Sequence, residues 1–469
     1  MFTRLSLRFR IFAFFCLMAL GAAMLAGVAL WFGWSRGYAG LPAGPFVTAF
    51  VLFALLNTGL AVGIWLLFDE NVAKPINKLA ADLRLRAHSG VDGPMEVEAA
   101  RYLGDLAPAA CALTSTLSSG VMDTATQVAR ETERLRAQSE KLTALLTEIP
   151  VATLLINPAH EIVLYDGQAA DVLSRIATPR LKAPLTDYFD AEALLAAVQQ
   201  LTQDKAEVSF KLRDVNRSLS FDARIKALDD DGFMVVIETD THVRPHPEAR
   251  PLVFDFDLIN TGETRAISDT PLRDLCYVAF DTETTGLSVA QDDIVQIGAV
   301  RVLNGRIVAG EVIDTFVDPE RPIPSASTRI HGVTDADVSG APEITSAGRH
   351  LHDFARDAVL IAHNAPFDIG LLRRVEGRVG VVWDHPVLDT VLLSAVVFGT
   401  TETHSLDALC ARLAVDIPDA LRHTALGDAQ ATAQAFVKLL PLLEGKGLST
   451  FGAVLAETQK HGRLLQDLN

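Results

Sequence analysis

Two long apolar runs near the N-terminus constrain this chain more than any other feature. Residues 11–34 and residues 46–68 contain no Asp, Glu, Lys or Arg. The first run would extend roughly 36 Å as an α-helix, which exceeds the roughly 30 Å hydrocarbon core of a bilayer. A cleaved signal peptide is the alternative for the first run, but it is longer than a signal core and a second span follows. The sequence therefore predicts a two-span transmembrane hairpin over residues 1–70.

Basic residues lie on both outer flanks of this hairpin and are nearly absent from its loop. Those on the flanks are Arg4, Arg8, Arg10, Lys74, Lys78, Arg84 and Arg86. The loop 35–45 contains only Arg36. Because cytoplasmic flanks of membrane spans carry an excess of Lys and Arg, we expect a multi-pass protein of the bacterial inner (cytoplasmic) membrane. Both termini, and all that follows residue 70, are then expected in the cytoplasm.

The segment 71–146 has helical periodicity. Ile76, Leu79 and Leu83 follow Pro75 at helical spacing. This PIxxL pattern resembles the first helix of a HAMP signal-transmitting module, and a juxtamembrane amphipathic helix is the alternative. Over 121–146, apolar and small residues recur in alternating steps of four and three, which predicts a coiled coil and hence a homodimer. A single surface helix is the alternative there.

Residues 147–240 alternate short β-rich runs with helix-like segments, which predicts a small α+β domain. Its opening, LLTEIPVATLLINPAHEIVLYDGQAADVL, resembles a PAS sensor domain, a fold that binds varied ligands. His160 falls in a predicted turn and is interpreted as a solvated loop residue rather than a haem ligand. A structural spacer that contributes to dimerisation is the alternative. The prolines and polar residues of 241–272 predict a linker.

The overall charge excludes one mode of nucleic-acid binding. The chain has 41 Lys and Arg against 58 Asp and Glu, a net charge of −17. This is the wrong sign for a broad basic binding surface, so contact with nucleic acid would be local or mediated by metal. The four cysteines show no metal-ligand spacing, so neither a zinc site nor a disulfide framework is predicted.

From residue 273 onward the pattern changes to long β-like runs followed by helices, which predicts a layered α/β domain with a mixed sheet. In the stretch FDTETTGL, Asp281 and Glu283 directly follow an apolar strand. Because side chains alternate along a strand, both carboxylates point to the same face. Two like charges there repel unless cations compensate, and an oxygen-only ligand set favours Mg²⁺ or Mn²⁺.

Two further stretches add acids and an imidazole to this prediction. In IAHNAPFDIGLL, Asp368 follows a buried strand and begins a helix. In HTALGDA, His423 stands just before the last strong helix and Asp428 about one turn into it. The predicted set is thus four carboxylates and one histidine. His404, in THSLDALC, is the rival candidate for the histidine.

The order and spacing of FDTETTGL, HNAPFD and HTALGDA resemble the DEDDh exonucleases of the DnaQ superfamily, which includes the proofreading epsilon subunit of bacterial DNA polymerase III. The resemblance covers about residues 273–442, within a predicted domain of residues 273–445. It implies a ribonuclease H-like fold and 3′→5′ hydrolysis of nucleic acid to nucleoside 5′-monophosphates. It also implies that the four carboxylates bind two Mg²⁺ or Mn²⁺ ions and that His423 is the general base. The substrate contacts that it implies are Thr284, Thr285, Leu287, His331, Asn364 and Phe367.

The expected function is therefore a membrane-anchored exonuclease acting on nucleic acid 3′ ends, with single-stranded DNA as the expected substrate. The motifs do not discriminate among DNA, RNA and short oligonucleotides. One alternative is a proofreading subunit bound to the DNA polymerase III core, although the 446–469 tail lacks a clear clamp-binding or polymerase-binding motif. Another is a catalytically silent nucleotide-binding protein that serves in signalling or as a scaffold.

Overall fold

The computed structural model describes residues 7–36, 42–89, 151–201, 205–228, 232–238, 252–259, 265–418 and 420–469. The predicted coiled coil over 121–146, and the dimer contact expected from it, lie outside the described residues. The chain divides into two compact units, residues 1–125 and 126–469.

The first unit contains the two apolar helices and one amphipathic helix. These are α1 (Leu7–Ser35), α2 (Gly44–Phe68) and α3 (Lys74–Ser89), with a π-helical turn at Asp69–Ala73 before α3. Both α1 and α2 are long and apolar enough to cross a membrane. The guanidinium of Arg8 donates to both carboxylate oxygens of Asp69, at 2.7 and 2.6 Å, and Asn57 Nδ2 donates to the Ala19 carbonyl at 2.9 Å. These bonds hold α1 and α2 together as a hairpin.

The second unit begins with a domain built on a six-stranded antiparallel sheet. Its strands are β1 (Val151–Ile156), β2 (Ile162–Tyr165), β3 (Glu207–Arg213), β4 (Ser220–Ala227), β5 (Phe233–Glu238) and β6 (Val253–Phe254). The order in the sheet is β3-β4-β5-β1-β2-β6. Helices α4 (Gly167–Ser174) and α5 (Ala191–Gln199) lie between β2 and β3 in the sequence. The predicted α+β class is thus observed.

One predicted boundary requires correction. Residues 241–272 were expected to form a linker, yet β6 lies within this range and pairs with β2. Val253 and Leu258 are buried in the core of the first domain, at 3% and 6% exposure. Burial of these two apolar side chains outweighs the local preference of a proline-rich segment for an open chain.

The remainder of the second unit is an α/β domain with a mixed sheet, as predicted. Its strands are β7 (Tyr277–Thr284), β8 (Ile294–Leu303), β9 (Arg306–Phe316), β10 (Val359–Ala362) and β11 (Val387–Asp389). The order is β11-β10-β7-β8-β9; β7, β8 and β9 are antiparallel, and β10 is parallel to both β7 and β11.

Eight helices of this domain are described. They are α6 (Ser325–His331), α7 (Asp335–Val338), α8 (Ile344–Phe354), α9 (Ala365–Val379), α10 (Thr390–Phe398), α11 (Leu406–Leu413), α12 (Ala425–Gly445) and α13 (Phe451–Thr458). Helix α12 crosses one face of β7 and β8, where Tyr277 packs on Phe436 with ring centroids 4.6 Å apart. Because alternate residues share a face, Asp281 and Glu283 of β7 also face α12.

The two domains of the second unit meet along β8, β9 and α8. Glu311 on β9 accepts hydrogen bonds from the Tyr165 hydroxyl at 3.0 Å and from the Leu181 backbone N–H at 2.6 Å. It also forms an ion pair with Arg301 of β8 at 2.9 Å, and both side chains are almost fully buried. A buried charged network therefore lies in the middle of this junction.

Candidate active site

The end of β7 supplies the first two acids of the site. Asp281 and Glu283 lie on one face of this strand, opposite Gly298 and Gln296 of β8 in the strand register. Both carboxylates are half-buried. As strand alternation predicts, both acids share one face of β7, and the structure shows that α12 covers this face.

The start of α12 brings the third acid to the same place. Thr424 caps this helix by accepting a hydrogen bond from the Gly427 backbone N–H at 3.1 Å. The first turn of α12 lies directly on β8, since a Cβ atom built on Gly298 would overlap the carbonyl carbon of Ala425. This close approach puts Asp428, in the first turn, beside the acids of β7.

The carboxylate oxygens of Asp281, Glu283 and Asp428 all lie within 4.8 Å of one another. Burial is the largest cause of raised pKa values here, and repulsion among the acids adds to it. The pKa of Glu283 is raised to about 8, and the pKa of Asp281 lies well above its usual value. Among the described residues, no Lys or Arg forms an ion pair with Asp281 or Glu283. Such a donor set of clustered, uncompensated oxygens fits hard divalent cations.

The fourth predicted acid lies next to this cluster but is bonded differently. Asp368 is in the first turn of α9 and is buried, with 3% exposure. Its Oδ1 accepts hydrogen bonds from the Thr282 hydroxyl at 2.5 Å and the Thr282 backbone N–H at 3.2 Å. Burial raises the pKa of Asp368 to about 7, and its charge raises the pKa of Asp281. The structure thus brings three predicted acids into one group and holds the fourth beside them.

His423 is exposed and has a left-handed backbone, with φ of 57°. Its segment folds over the first turn of α12, where a Cβ atom on Gly427 would overlap the Leu421 carbonyl oxygen. Burial raises the pKa of Asp428, and the nearby His423 opposes this rise. The rival, His404, is only 8% exposed, and its Nδ1 is hydrogen-bonded to the Ser394 hydroxyl at 2.8 Å.

The six predicted substrate contacts fall into two groups. Leu287 is 88% exposed, Asn364 is exposed, and Phe367 is half-buried beside Asp368. The other three are buried and already bonded within the protein: Thr284 and Thr285 donate their hydroxyls to the Gly286 carbonyl and Asp292, and both ring nitrogens of His331 bond backbone groups of Thr284 and Val333. These three support the local structure, and the first three are accessible.

Three residues that position the site were not singled out from the sequence. Asp389, at the end of β11, accepts a hydrogen bond from the Ala365 backbone N–H of α9 at 2.6 Å. Gln296 donates to Asp314 at 2.9 Å and accepts from the Ala425 backbone N–H at 3.3 Å. Gly298 gives α12 its close approach. Two signals for them were available in the sequence. Asp389 is a polar residue at a strand end, and Gln296 and Gly298 are a polar residue and a glycine inside an apolar strand.

A mixed sheet in this order, with acids converging from β7 and α12, defines a ribonuclease H-like exonuclease domain. Residues 278–436 match the exonuclease family RNase_T. The chain is 33% identical to a DNA polymerase III subunit epsilon-like protein of Rhodobacter capsulatus, and the match covers 99% of both chains. The protein belongs to the family of DNA polymerase III subunit epsilon-like proteins.

Several other similarities cover less than half of the chain. The PolC-type DNA polymerase III of Caldanaerobacter subterraneus is 36% identical over 43% of this chain and 14% of its own length. Exonuclease X in complex with 5′ overhanging duplex DNA is 29% identical over 39% of this chain and 99% of that chain, with a TM-score of 0.31. Escherichia coli exonuclease I in complex with a dA16 oligonucleotide is 17% identical, covering 36% of this chain and 41% of that chain, with a TM-score of 0.32.

Proposed function

We propose that this protein is a metal-dependent 3′→5′ exonuclease that releases nucleoside 5′-monophosphates from DNA. The observation that carries this proposal is the group of three carboxylates, from Asp281, Glu283 and Asp428, with oxygens within 4.8 Å of one another. Without cations, burial and repulsion by neighbouring acids raise the pKa of Glu283 to about 8 and the pKa of Asp281 well above its usual value. The three carboxylates are therefore best explained as a binding site for cations.

Each residue of the site has a proposed role. Asp281, Glu283 and Asp428 would hold two Mg²⁺ or Mn²⁺ ions together with Asp368, whose bonds to Thr282 use only Oδ1. When bound, two such metal ions would activate water and stabilise the departing 3′ oxygen. His423, exposed beside Asp428, would accept the proton of the attacking water as the general base.

The accessible side chains beside the acids are proposed to hold the end of the strand. Leu287, which is 88% exposed just beyond β7, would pack against the terminal base. Asn364 and Phe367 border Asp368 at the start of α9 and would line the same end of the site. The 3′ polarity rests on the family resemblance. DNA as substrate rests on the polymerase name of the relative that matches the whole chain.

The test is an assay of the full-length protein with a single-stranded DNA labelled at its 5′ end. With Mg²⁺ or Mn²⁺, 3′→5′ cleavage gives a ladder of progressively shorter labelled products, whereas the opposite polarity releases labelled mononucleotide at once. Asp281→Asn and Asp428→Asn are expected to reduce the rate by at least about 10³-fold, and His423→Ala by about 10²–10⁴-fold. Asp269→Asn, an exposed acid in the turn Ile267–Asp269, is the control. Cleavage at the wild-type rate by Asp281→Asn and Asp428→Asn would contradict the proposal. The absence of any cleavage by the wild-type protein would contradict it as well.

We also propose that α1 and α2 span a membrane. A second proposal is that the domain built on β1–β6 is PAS-like. The PAS-like character is supported by the sheet order β3-β4-β5-β1-β2 and by two helices between β2 and β3. For the membrane, alkaline phosphatase fused after residue 40 is expected to be active and a fusion after residue 90 inactive. Activity at position 90 would overturn the proposed cytoplasmic location of the exonuclease domain.

A second candidate is a proofreading subunit of DNA polymerase III. The name of the relative that matches the whole chain, and the likeness to PolC-type polymerases, favour it. Membrane anchoring argues against it, because a replisome subunit moves with the fork. Co-purification of the full-length protein with the polymerase catalytic subunit would establish this alternative.

A further inference from the structure

An open cleft of 990 Å³ separates the two domains of the second unit. One wall belongs to the first domain and includes Ser174, Thr178 and Pro179; the other belongs to β9 and α8 of the exonuclease domain. The volume lies at the upper end of the roughly 300–1,000 Å³ typical of small-molecule sites, which prefer the boundary between domains. The acids of the candidate active site are not among its lining residues.

The charges that line this cleft do not cancel. Four ionisable groups other than tyrosine face it: Glu311, Arg349, His350 and Asp353. Glu311 is already paired with Arg301 at 2.9 Å, and Asp353 with Arg356 at 3.1 Å. Partial desolvation lowers the pKa of His350, although its side chain remains exposed, and the charge of Asp353 opposes this shift.

Arg349 is the uncompensated charge in this set. Its Nη2 donates to the Val379 carbonyl at 2.7 Å, and no carboxylate among the described residues forms an ion pair with it. The remaining guanidinium N–H groups of Arg349 are therefore available. A guanidinium prefers the oxygens of phosphate or carboxylate, to which it donates two hydrogen bonds at once.

The rest of the lining provides both apolar surface and hydroxyl groups. Val253 and Phe354 form apolar parts of the two walls, and hydroxyls line the cleft from α4 and from the first turn of α8, at Ser174, Thr345 and Ser346. We propose that this cleft binds a small organic phosphate, with the phosphate on Arg349 and the organic part between the two walls. The site is independent of the nuclease reaction.

The test uses AMP as the organic phosphate and isothermal titration calorimetry on the full-length protein, with EDTA present so that no divalent ion holds a nucleotide at the acidic cluster. AMP is expected to bind one site per chain. Adenosine, which lacks the charge, and inorganic phosphate, which lacks the organic part, are expected to bind at least about tenfold more weakly. Equal affinity for phosphate and AMP would disprove the role of the apolar walls.

Two variants on opposite walls locate the site. Arg349→Ala is expected to weaken AMP binding at least about tenfold, since a charge-assisted contact is lost. Ser174→Trp fills the cleft from the exposed side of α4 and is expected to block AMP with an unchanged unfolding temperature. Arg378→Ala, an exposed arginine of α9 paired with Glu320, is the matched control and should bind AMP as the wild type does.

Three results would overturn the proposal. The first is wild-type protein that binds no AMP up to about 10 mM. The second is AMP binding that survives unchanged in both Arg349→Ala and Ser174→Trp. The third is loss of AMP binding in Asp281→Asn with Asp428→Asn, which would place the nucleotide at the acidic cluster. Retained binding in that double variant supports the cleft.

Discussion

Gly298 is the residue on which the position of α12 depends most directly. It lies opposite Asp281 in the sheet, and a Cβ atom there would overlap the backbone of Ala425. The Gly298→Ala variant must therefore move the first turn of α12 away from β8, and Asp428 moves with it. We expect at least about a 100-fold loss of cleavage rate, together with weaker Mn²⁺ binding in calorimetry.

The control for this substitution is Gly377→Ala. Gly377 lies inside α9, and a Cβ atom added there would have nothing within 4 Å, so alanine should leave activity intact and slightly raise the stability. If Gly298→Ala bound Mn²⁺ as tightly as the wild type and cleaved at the same rate, the close packing of α12 on β8 would not be what positions Asp428.

The acid group predicts how the stability of the metal-free protein depends on pH. In the folded protein the pKa of Glu283 is about 8 and that of Asp368 about 7, whereas unfolded carboxyl groups titrate near pH 4. Because the folded values are raised, the stabilisation is fully present below about pH 4 and is lost as the pH rises through about 7 to 8. In EDTA, the unfolding temperature should fall over that range, and Mn²⁺ should restore it.

The fluorescence of Trp383 can report this transition, since the other three tryptophans lie in the apolar hairpin. Glu283→Gln should flatten the pH dependence in EDTA, whereas Glu320→Gln, an exposed glutamate paired with Arg378, should not. A slope as steep in Glu283→Gln as in the wild type would mean that the acid group is not the source of the pH dependence.

Residue-level prediction from the sequence worked where a local rule applied. Strand alternation placed Asp281 and Glu283 on one face, and helix starts located Asp368 and Asp428. Local rules do not predict hydrogen bonds between residues that are distant in the sequence. Thr284, Thr285 and His331 were expected to contact substrate, and nothing local in the sequence indicates that the fold buries them and bonds them within the protein.

At the scale of elements, α9 is held at its N-terminus by a neighbouring strand rather than by its own cap. Asn364 turns the chain with φ of 72° and makes no side-chain cap bond. Instead, Asp389 accepts hydrogen bonds from the Ala365 and Val391 backbone N–H groups at 2.6 and 2.7 Å. The end of β11 thereby fixes the turn of α9 that carries Asp368.

The Asp389→Ala variant removes this cap. It should lower the free energy of unfolding by about 1–2 kcal/mol, as measured in urea, and it should also reduce cleavage because the first turn of α9 is freed. Thr450→Ala is the matched control, since Thr450 caps α13 through Ala453 at 3.3 Å, away from the acids. Similar activity in the two variants would argue against a positioning role for Asp389.

The predicted elements show what sequence patterns can and cannot decide. The three longest strands of the exonuclease domain, β7, β8 and β9, agree with the long β-like runs predicted after residue 273. The short strand β6 was missed within the expected linker. Its two residues have no periodicity of their own, and its pairing with β2 depends on contacts between segments distant in sequence.

At the scale of the whole molecule, the exonuclease domain depends on its neighbour. The Arg301 and Glu311 side chains are 2% and 0% exposed, and Tyr165, Leu181 and Phe354 provide further bonds to them from both domains. An exonuclease domain expressed alone would expose this charged pair and the apolar surface around it. Full-length protein is therefore the appropriate material for the nuclease assays.

Breaking the buried pair tests this dependence. Glu311→Ala leaves Arg301 buried without its anion, so we expect a loss of about 3–5 kcal/mol in the free energy of unfolding in urea. The double variant Arg301→Met with Glu311→Leu removes both charges and should be much closer to the wild type, because the desolvation penalty disappears with the ion pair. Arg306→Ala breaks an exposed ion pair between the same domains, with Asp257 at 2.6 Å, and should lose at most about 1 kcal/mol. If Glu311→Ala were no more destabilising than Arg306→Ala, the buried network would not be what joins the two domains.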